Sequence, residues 1–204
     1  MKNANLYDRY AAHFPAAAVE FLRDEAGTVV SYGELARRSA QIAGYLIACG
    51  VSAGDRITVQ AEKCPTFIWL YLACLRAGLV FHPLNPAYTE AELDYFIGDA
   101  VPSMLIGDAA AVVTLGVLAS RYAVPRVLSL ATLNEESAQY PADFVSHDVS
   151  PDTLAALLYS SGTTGKPKGI MLSHGNLATN AAALTRAWGF TTSDVLLHML
   201  PLFH

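Results

Sequence analysis

Charge is scarce in this chain, and cysteine scarcer. Of 204 residues only 15% are Asp, Glu, Lys or Arg, and 13 basic against 18 acidic side chains leave a net charge of −5. There is no basic run and no Arg-rich helix, which argues against nucleic acid as a partner. The three cysteines, Cys49, Cys64 and Cys74, show no Cys-x-x-Cys spacing. Each sits in an apolar segment, so they read as reduced core thiols of a cytosolic (cytoplasmic) protein rather than a disulfide framework or a metal site. No His/Cys/Asp cluster has metal-ligand spacing. The N-terminus lacks the charged-then-apolar pattern of a signal peptide. The most apolar stretch, from Phe67 to Leu84, is interrupted by Arg76, His82 and Pro83, so no membrane span is expected. Internal repeats and low-complexity segments are lacking too.

What is present is a large apolar complement. Hydrophobic residues make up 53% of the chain, enough for the core of one large domain or two small ones. Residues 19–23 and 28–30 flank a Gly-containing turn and predict a hairpin. Ser31 and Glu34 have capping-box spacing and open a helix that stops at Gly50; Thr89 and Glu92 repeat the device and open a helix to about Ile97. A strand is expected over 56–60 and a helix from Pro65 to Arg76, closed by Gly78. A short strand over 79–81 should follow, then a turn over 82–86. Further on, a strand is expected over 103–106, a helix over 109–121 and a strand over 126–129. Residues 131–152, polar and carrying Pro141 and Pro151, read as a long connector. Strands over 154–159, 170–172 and 195–199 and a helix over 174–188 complete the pattern. Strands alternating with helices predict an α/β fold, a mainly parallel sheet with helices on both faces.

The most informative segment is Ser160 to Gly169, Ser-Ser-Gly-Thr-Thr-Gly-Lys-Pro-Lys-Gly. It follows directly on the hydrophobic run 154–159. Its glycines let backbone approach a ligand closely. Its amides, hydroxyls and lysines offer the donors and positive charge that a polyphosphate needs. A solvated surface loop of the same composition is the plain alternative. A Walker A loop is excluded, because counting from Gly162 puts Pro167 where that pattern requires glycine.

The order of residues in this run resembles the phosphate-binding signature of the adenylate-forming superfamily, which includes acyl-CoA synthetases, luciferases and peptide-synthetase adenylation domains; Ser160 stands where threonine is usual and keeps the hydroxyl. Ser31-Tyr-Gly-Glu-Leu35, Gly54-Asp-Arg56, the block from Tyr71 to Leu93, Ser173-His-Gly-Asn176 and Pro201-Leu-Phe-His204 resemble further family motifs in the right order. Within the superfamily, residues 84–96 and 193–198 and the opening Asn-Ala-Asn-Leu resemble bacterial malonyl-CoA synthetases.

The resemblance implies an enzyme that adenylates a carboxylate with Mg-ATP, releasing pyrophosphate, and then transfers the acyl group to a thiol, usually coenzyme A. It implies that Ser160, Ser161, Gly162, Thr163, Thr164 and Gly165 cradle the ATP phosphates, that Lys168 supplies charge there, and that Lys166 is a lesser contributor. It implies a catalytic position for His204, near the nucleotide and carboxylate. Mg2+ would arrive with ATP, held largely by phosphates and water. His82, His174 and His198 read as structural. Residues 1–204 would form the N-terminal portion of an adenylation domain, with the C-terminal domain absent. Such a chain is expected to be inactive alone and to need its apolar edge covered, by the remainder of the same enzyme or by self-association. Two other readings stay open: a standalone, non-catalytic nucleotide- or phosphate-binding module, and another adenylating ligase, such as an aryl- or fatty-acyl-CoA ligase.

Overall fold

The computed structural model of the chain describes residues 3–160 and 166–203. A short hairpin of β1 (Glu20–Arg23) and β2 (Val29–Ser31) stands apart from the main sheet. That sheet is built from β3 (Arg56–Gln60), β4 (Val80–Leu84), β5 (Met104–Gly107), β6 (Val127–Ser129), β7 (Leu154–Ser160) and β8 (Lys168–Ser173), in the order β6-β5-β3-β4-β7-β8. The first five run parallel and β8 is antiparallel to β7. The expected parallel sheet is therefore present, with one reversed edge.

The helices are α1 (Leu6–Ala11), α2 (Tyr32–Ala48), α3 (Pro65–Ala77), α4 (Glu90–Ala100), α5 (Val112–Arg121), α6 (Leu130–Ser137) and α7 (His174–Trp188). They start where local chemistry says they should. Ser31 accepts from the Glu34 amide, Thr89 and Glu92 form a reciprocal capping box, and Pro65 opens α3. Gly78 closes α3 at φ +68°, where a Cβ would lie 2.9 Å from the His147 ring. Both the left-handed backbone and the missing side chain are thus required there.

Strand alternation divides the core between two layers. Ile57, Val59, Met104 and Ile106 pack with α1, α2, α3 and α6 on one face; Leu105 packs with Leu93, Phe96 and Ile97 of α4 and Leu115 and Leu118 of α5 on the other. Each fully buried leucine or isoleucine here contributes about 1.5–3 kcal/mol. Thr58 and His82 share the register of Leu105 and so face α4 and α5.

Three expectations are corrected. His82, Pro83 and Leu84 are not a turn but the second half of β4, all buried. The pairing of β4 with β7 consists of Phe81↔Ala156, so beyond residue 81 one flank of β4 needs no donor and Pro83 fits without loss. The connector over 131–152 begins as a helix, α6, capped by Ser129. Its Leu130 and Leu133 are buried against the first layer, and that tertiary contact outweighs the polar composition. Residues 195–199 form no strand. Val195, Leu197 and Met199 are 96%, 82% and 79% exposed, so this apolar segment lacks the pairing partner a strand requires.

Candidate functional site

The β7–β8 hairpin carries the glycine-rich run. β7 brings Ser160 to the C-terminal edge of the parallel strands, and β8 leaves from Lys168, directly opposite Ser160 in the register. Both side chains are exposed. Gly169 pairs with Tyr159, and a Cβ on it would lie 3.2 Å from Leu157 Cδ1, so the ladder is tight immediately below the loop. Lys166 places its Nζ 5.5 Å from the centre of the Tyr95 ring, a cation–π arrangement. The Tyr95 hydroxyl donates to the Pro167 carbonyl at 2.7 Å. Of the residues expected to bind phosphate, Ser160, Lys166 and Lys168 are brought together at this mouth. Ser161, Gly162, Thr163, Thr164 and Gly165 lie outside the described residues, as does His204.

Beneath the mouth lies a layer of rings. Tyr159 is 4.7 Å from Phe96 and 5.4 Å from His82, centre to centre, and its hydroxyl donates to Asp99 at 2.6 Å. Burial, and then the bond to the Asp99 carboxylate, raise the Tyr159 pKa, so the phenol stays protonated. His82 shares a 2.8 Å hydrogen bond with Thr58 through Nδ1, and its Nε2 is buried with no partner among the described residues. Burial pulls its pKa down to about 4, so it is neutral at pH 7. His174 behaves alike. Its Nδ1 accepts from the Leu6 amide at 3.0 Å, and burial lowers it to about 4. Both rings are buried, and burial favours their neutral form.

In open α/β sheets ligands collect outside the C-terminal ends of the strands. Ser160 stands at that edge, and so does a cavity of about 230 Å³ just past β3 and β4. Its walls include Glu62, Lys63, Phe67, Pro86, Leu202 and Phe203. The Pro201-Leu202-Phe203 run thus borders the same edge as the hairpin, as the motif order requires, and Lys63 Nζ donates to the His198 carbonyl at 3.0 Å to hold that segment. A larger, open groove of about 500 Å³ runs along the first turns of α7, beside Pro151, Ser173 and Asn176. It lies at the opposite edge, where Leu154 pairs with Ser173, and has no part in the hairpin site.

Sequence reasoning missed Tyr95, Asp99 and Tyr159 as members of this neighbourhood. Tyr95 and Asp99 share one face of α4 by i, i+4 spacing, but nothing local says which strand that face meets.

Known proteins resemble this chain in sequence and fold. A family model described as "AMP-binding enzyme" matches residues 7–204. The crystal structure of ATP-bound MatB from Rhodopseudomonas palustris superposes with a TM-score of 0.93 at 41% identity, over 99% of this chain and 41% of that one. A feruloyl-CoA synthase from Amycolatopsis sp is 36% identical over 179 residues, 87% of this chain and 35% of the relative. The medium-chain fatty-acid–CoA ligase of Escherichia coli (strain K12) is 32% identical over 196 residues, 89% of this chain and 35% of the relative. The chain therefore spans about a third of the length of these curated relatives, measured as 35% in both cases.

Proposed function

The chain belongs to the AMP-binding enzyme family, and from that premise we propose that it is the N-terminal portion of an ATP-dependent acyl-CoA synthetase. The observation that carries this reading is the hairpin mouth: Ser160 and Lys168 face each other at the strand edge where ligands collect, with Lys166 beside them. In the proposed first step a carboxylate oxygen attacks the α-phosphorus of ATP and pyrophosphate leaves. In the second a coenzyme A thiol attacks the acyl carbon and AMP leaves. Charge gathers on the phosphates in the first step, so positioned amides, hydroxyls and lysine ammonium groups are the catalytic means. Ser160 and Lys168, together with Ser161, Gly162, Thr163, Thr164 and Gly165, are the proposed phosphate cradle; Mg2+ rides on ATP; His204 is the proposed group near the carboxylate.

Malonate is the proposed acyl substrate, supported by the resemblance of residues 84–96 and 193–198 to malonyl-CoA synthetases. An aryl carboxylate is the second reading, favoured by the identity to the feruloyl-CoA synthase. These 204 residues alone are proposed not to complete either half-reaction. The exposed apolar residues of β8, α7 and 195–200 support covering by the remainder of the same enzyme, or by self-association when it is missing.

Carboxylate-dependent ATP–pyrophosphate exchange tests all of this. With malonate and ferulate supplied in parallel, the isolated chain is expected to give no exchange. An enzyme of relative length containing it should exchange with malonate and lose that exchange on Lys168→Ala with Thr164→Ala. Exchange by the isolated chain overturns the incompleteness, and a ferulate preference overturns malonate.

A further inference from the structure

Both stems of the glycine-rich hairpin are fastened to one helix. On the entry side the Tyr159 hydroxyl donates to Asp99 Oδ2 at 2.6 Å; on the exit side the Tyr95 hydroxyl donates to the Pro167 carbonyl at 2.7 Å. Tyr95 and Asp99 are one turn apart on α4. That helix is itself held rigidly. Its N-terminus carries the Thr89–Glu92 capping box, its Leu93 and Ile97 are fully buried, and Asp94 pairs with Arg121 of α5. Tyr88 stacks on Phe96 at 4.9 Å, which keeps the ring layer under Tyr159 in place.

We infer that Tyr95 is a positioning residue for the loop, acting through Pro167 and Lys166. Its hydroxyl fixes the carbonyl just before Lys168, and its ring holds the Lys166 ammonium beside the loop mouth. A loop rich in glycine loses much conformational freedom on ordering. Anchoring its exit to a packed helix removes part of that cost before a ligand arrives, which is how preorganisation raises affinity. The role of Tyr95 in nucleotide binding rests on the phosphate-site reading proposed above; the latch itself does not.

The experiment compares Tyr95→Phe with Tyr122→Phe. Tyr95→Phe keeps the ring and removes the bond to Pro167. Tyr122→Phe removes a bond of the same kind to the same helix, from Tyr122 to Asp94, at a place that does not touch the hairpin. Amide hydrogen exchange of β7 and β8 is measured together with binding of Mg-ATP. Tyr95→Phe should speed exchange in the hairpin about fivefold and weaken ATP binding by about the same factor, which is what one neutral hydrogen bond corresponds to. Tyr122→Phe should lower the melting temperature comparably and change neither. Hairpin exchange unchanged by Tyr95→Phe, or changed equally by Tyr122→Phe, overturns the latch. Both substitutions are made in an enzyme of relative length that contains this chain; accelerated hairpin exchange there, with a parent that binds no Mg-ATP, upholds the latch and sinks the phosphate-site reading instead.

Discussion

Ser160 and Lys168 are the closing pair of the β7–β8 ladder, directly opposite each other and both exposed. An ammonium group held there by backbone register can meet a polyphosphate without a rearrangement of the fold. Lys168→Ala should therefore weaken Mg-ATP binding by roughly 10- to 100-fold, the range for one charge-assisted hydrogen bond. The melting temperature should barely move, since the side chain is not part of the core. Calorimetric titration together with thermal unfolding checks both halves; equal affinity in the variant removes Lys168 from the site.

Two buried neutral histidines make the fold acid-sensitive. His82 and His174 are each lowered to about 4 by burial, against about 6.5 when unfolded. The unfolded chain thus binds more protons between pH 4 and 6.5, and stability must fall as pH drops through that window. The loss should be about 2 kcal/mol per histidine by pH 5. Urea midpoints at pH 7.5, 6 and 5 measure it, and midpoints that stay level across that series would contradict the burial of both rings.

Arg76 is the clamp between α3 and the segment following α6. It is buried, stacks 4.2 Å from the centre of the Tyr7 ring, and donates to the Tyr7 hydroxyl, the Ala36 carbonyl and the Phe144 carbonyl. A lysine keeps the charge but cannot reach this fork of acceptors. Arg76→Lys should cost roughly 2–4 kcal/mol. Thermal unfolding would show it as a fall in melting temperature on the order of 4–16 °C for a chain of this size, and a shift under one degree would refute the clamp.

Gly50 and Gly78 both adopt positive φ, +91° and +68°, yet only Gly78 is crowded, by the His147 ring. Gly50→Ala should cost about 1–2 kcal/mol for the left-handed backbone alone. Gly78→Ala should cost distinctly more, because the ring must also move. Denaturant titrations of the two variants rank them, and the reverse order would be inconsistent with His147 packing on Gly78.

The exposed run 195–200 should make the isolated chain associate. Sedimentation of the parent chain against a Leu197→Glu, Met199→Glu variant is expected to show concentration-dependent assemblies that the variant reduces. A parent that sediments as a monomer at high concentration would remove self-association from the proposal.

Much of this protein was legible in its sequence because the signals are local. Caps at Ser31 and Thr89 and Gly78 as a helix stop depend on residues a few positions apart, and each stands where expected. The glycine-rich run was legible for the same reason, since its ten residues are contiguous. Tertiary structure decided the rest. Pro83 lies in a strand because its flank needs no donor, and α6 forms because Leu130 and Leu133 find the first layer. Residues 195–199 join no sheet because a strand is made by its neighbour, not by its own composition. The grip of Tyr95 and Asp99 on the hairpin joins residues 72 and 60 positions apart. Only packing could bring them together.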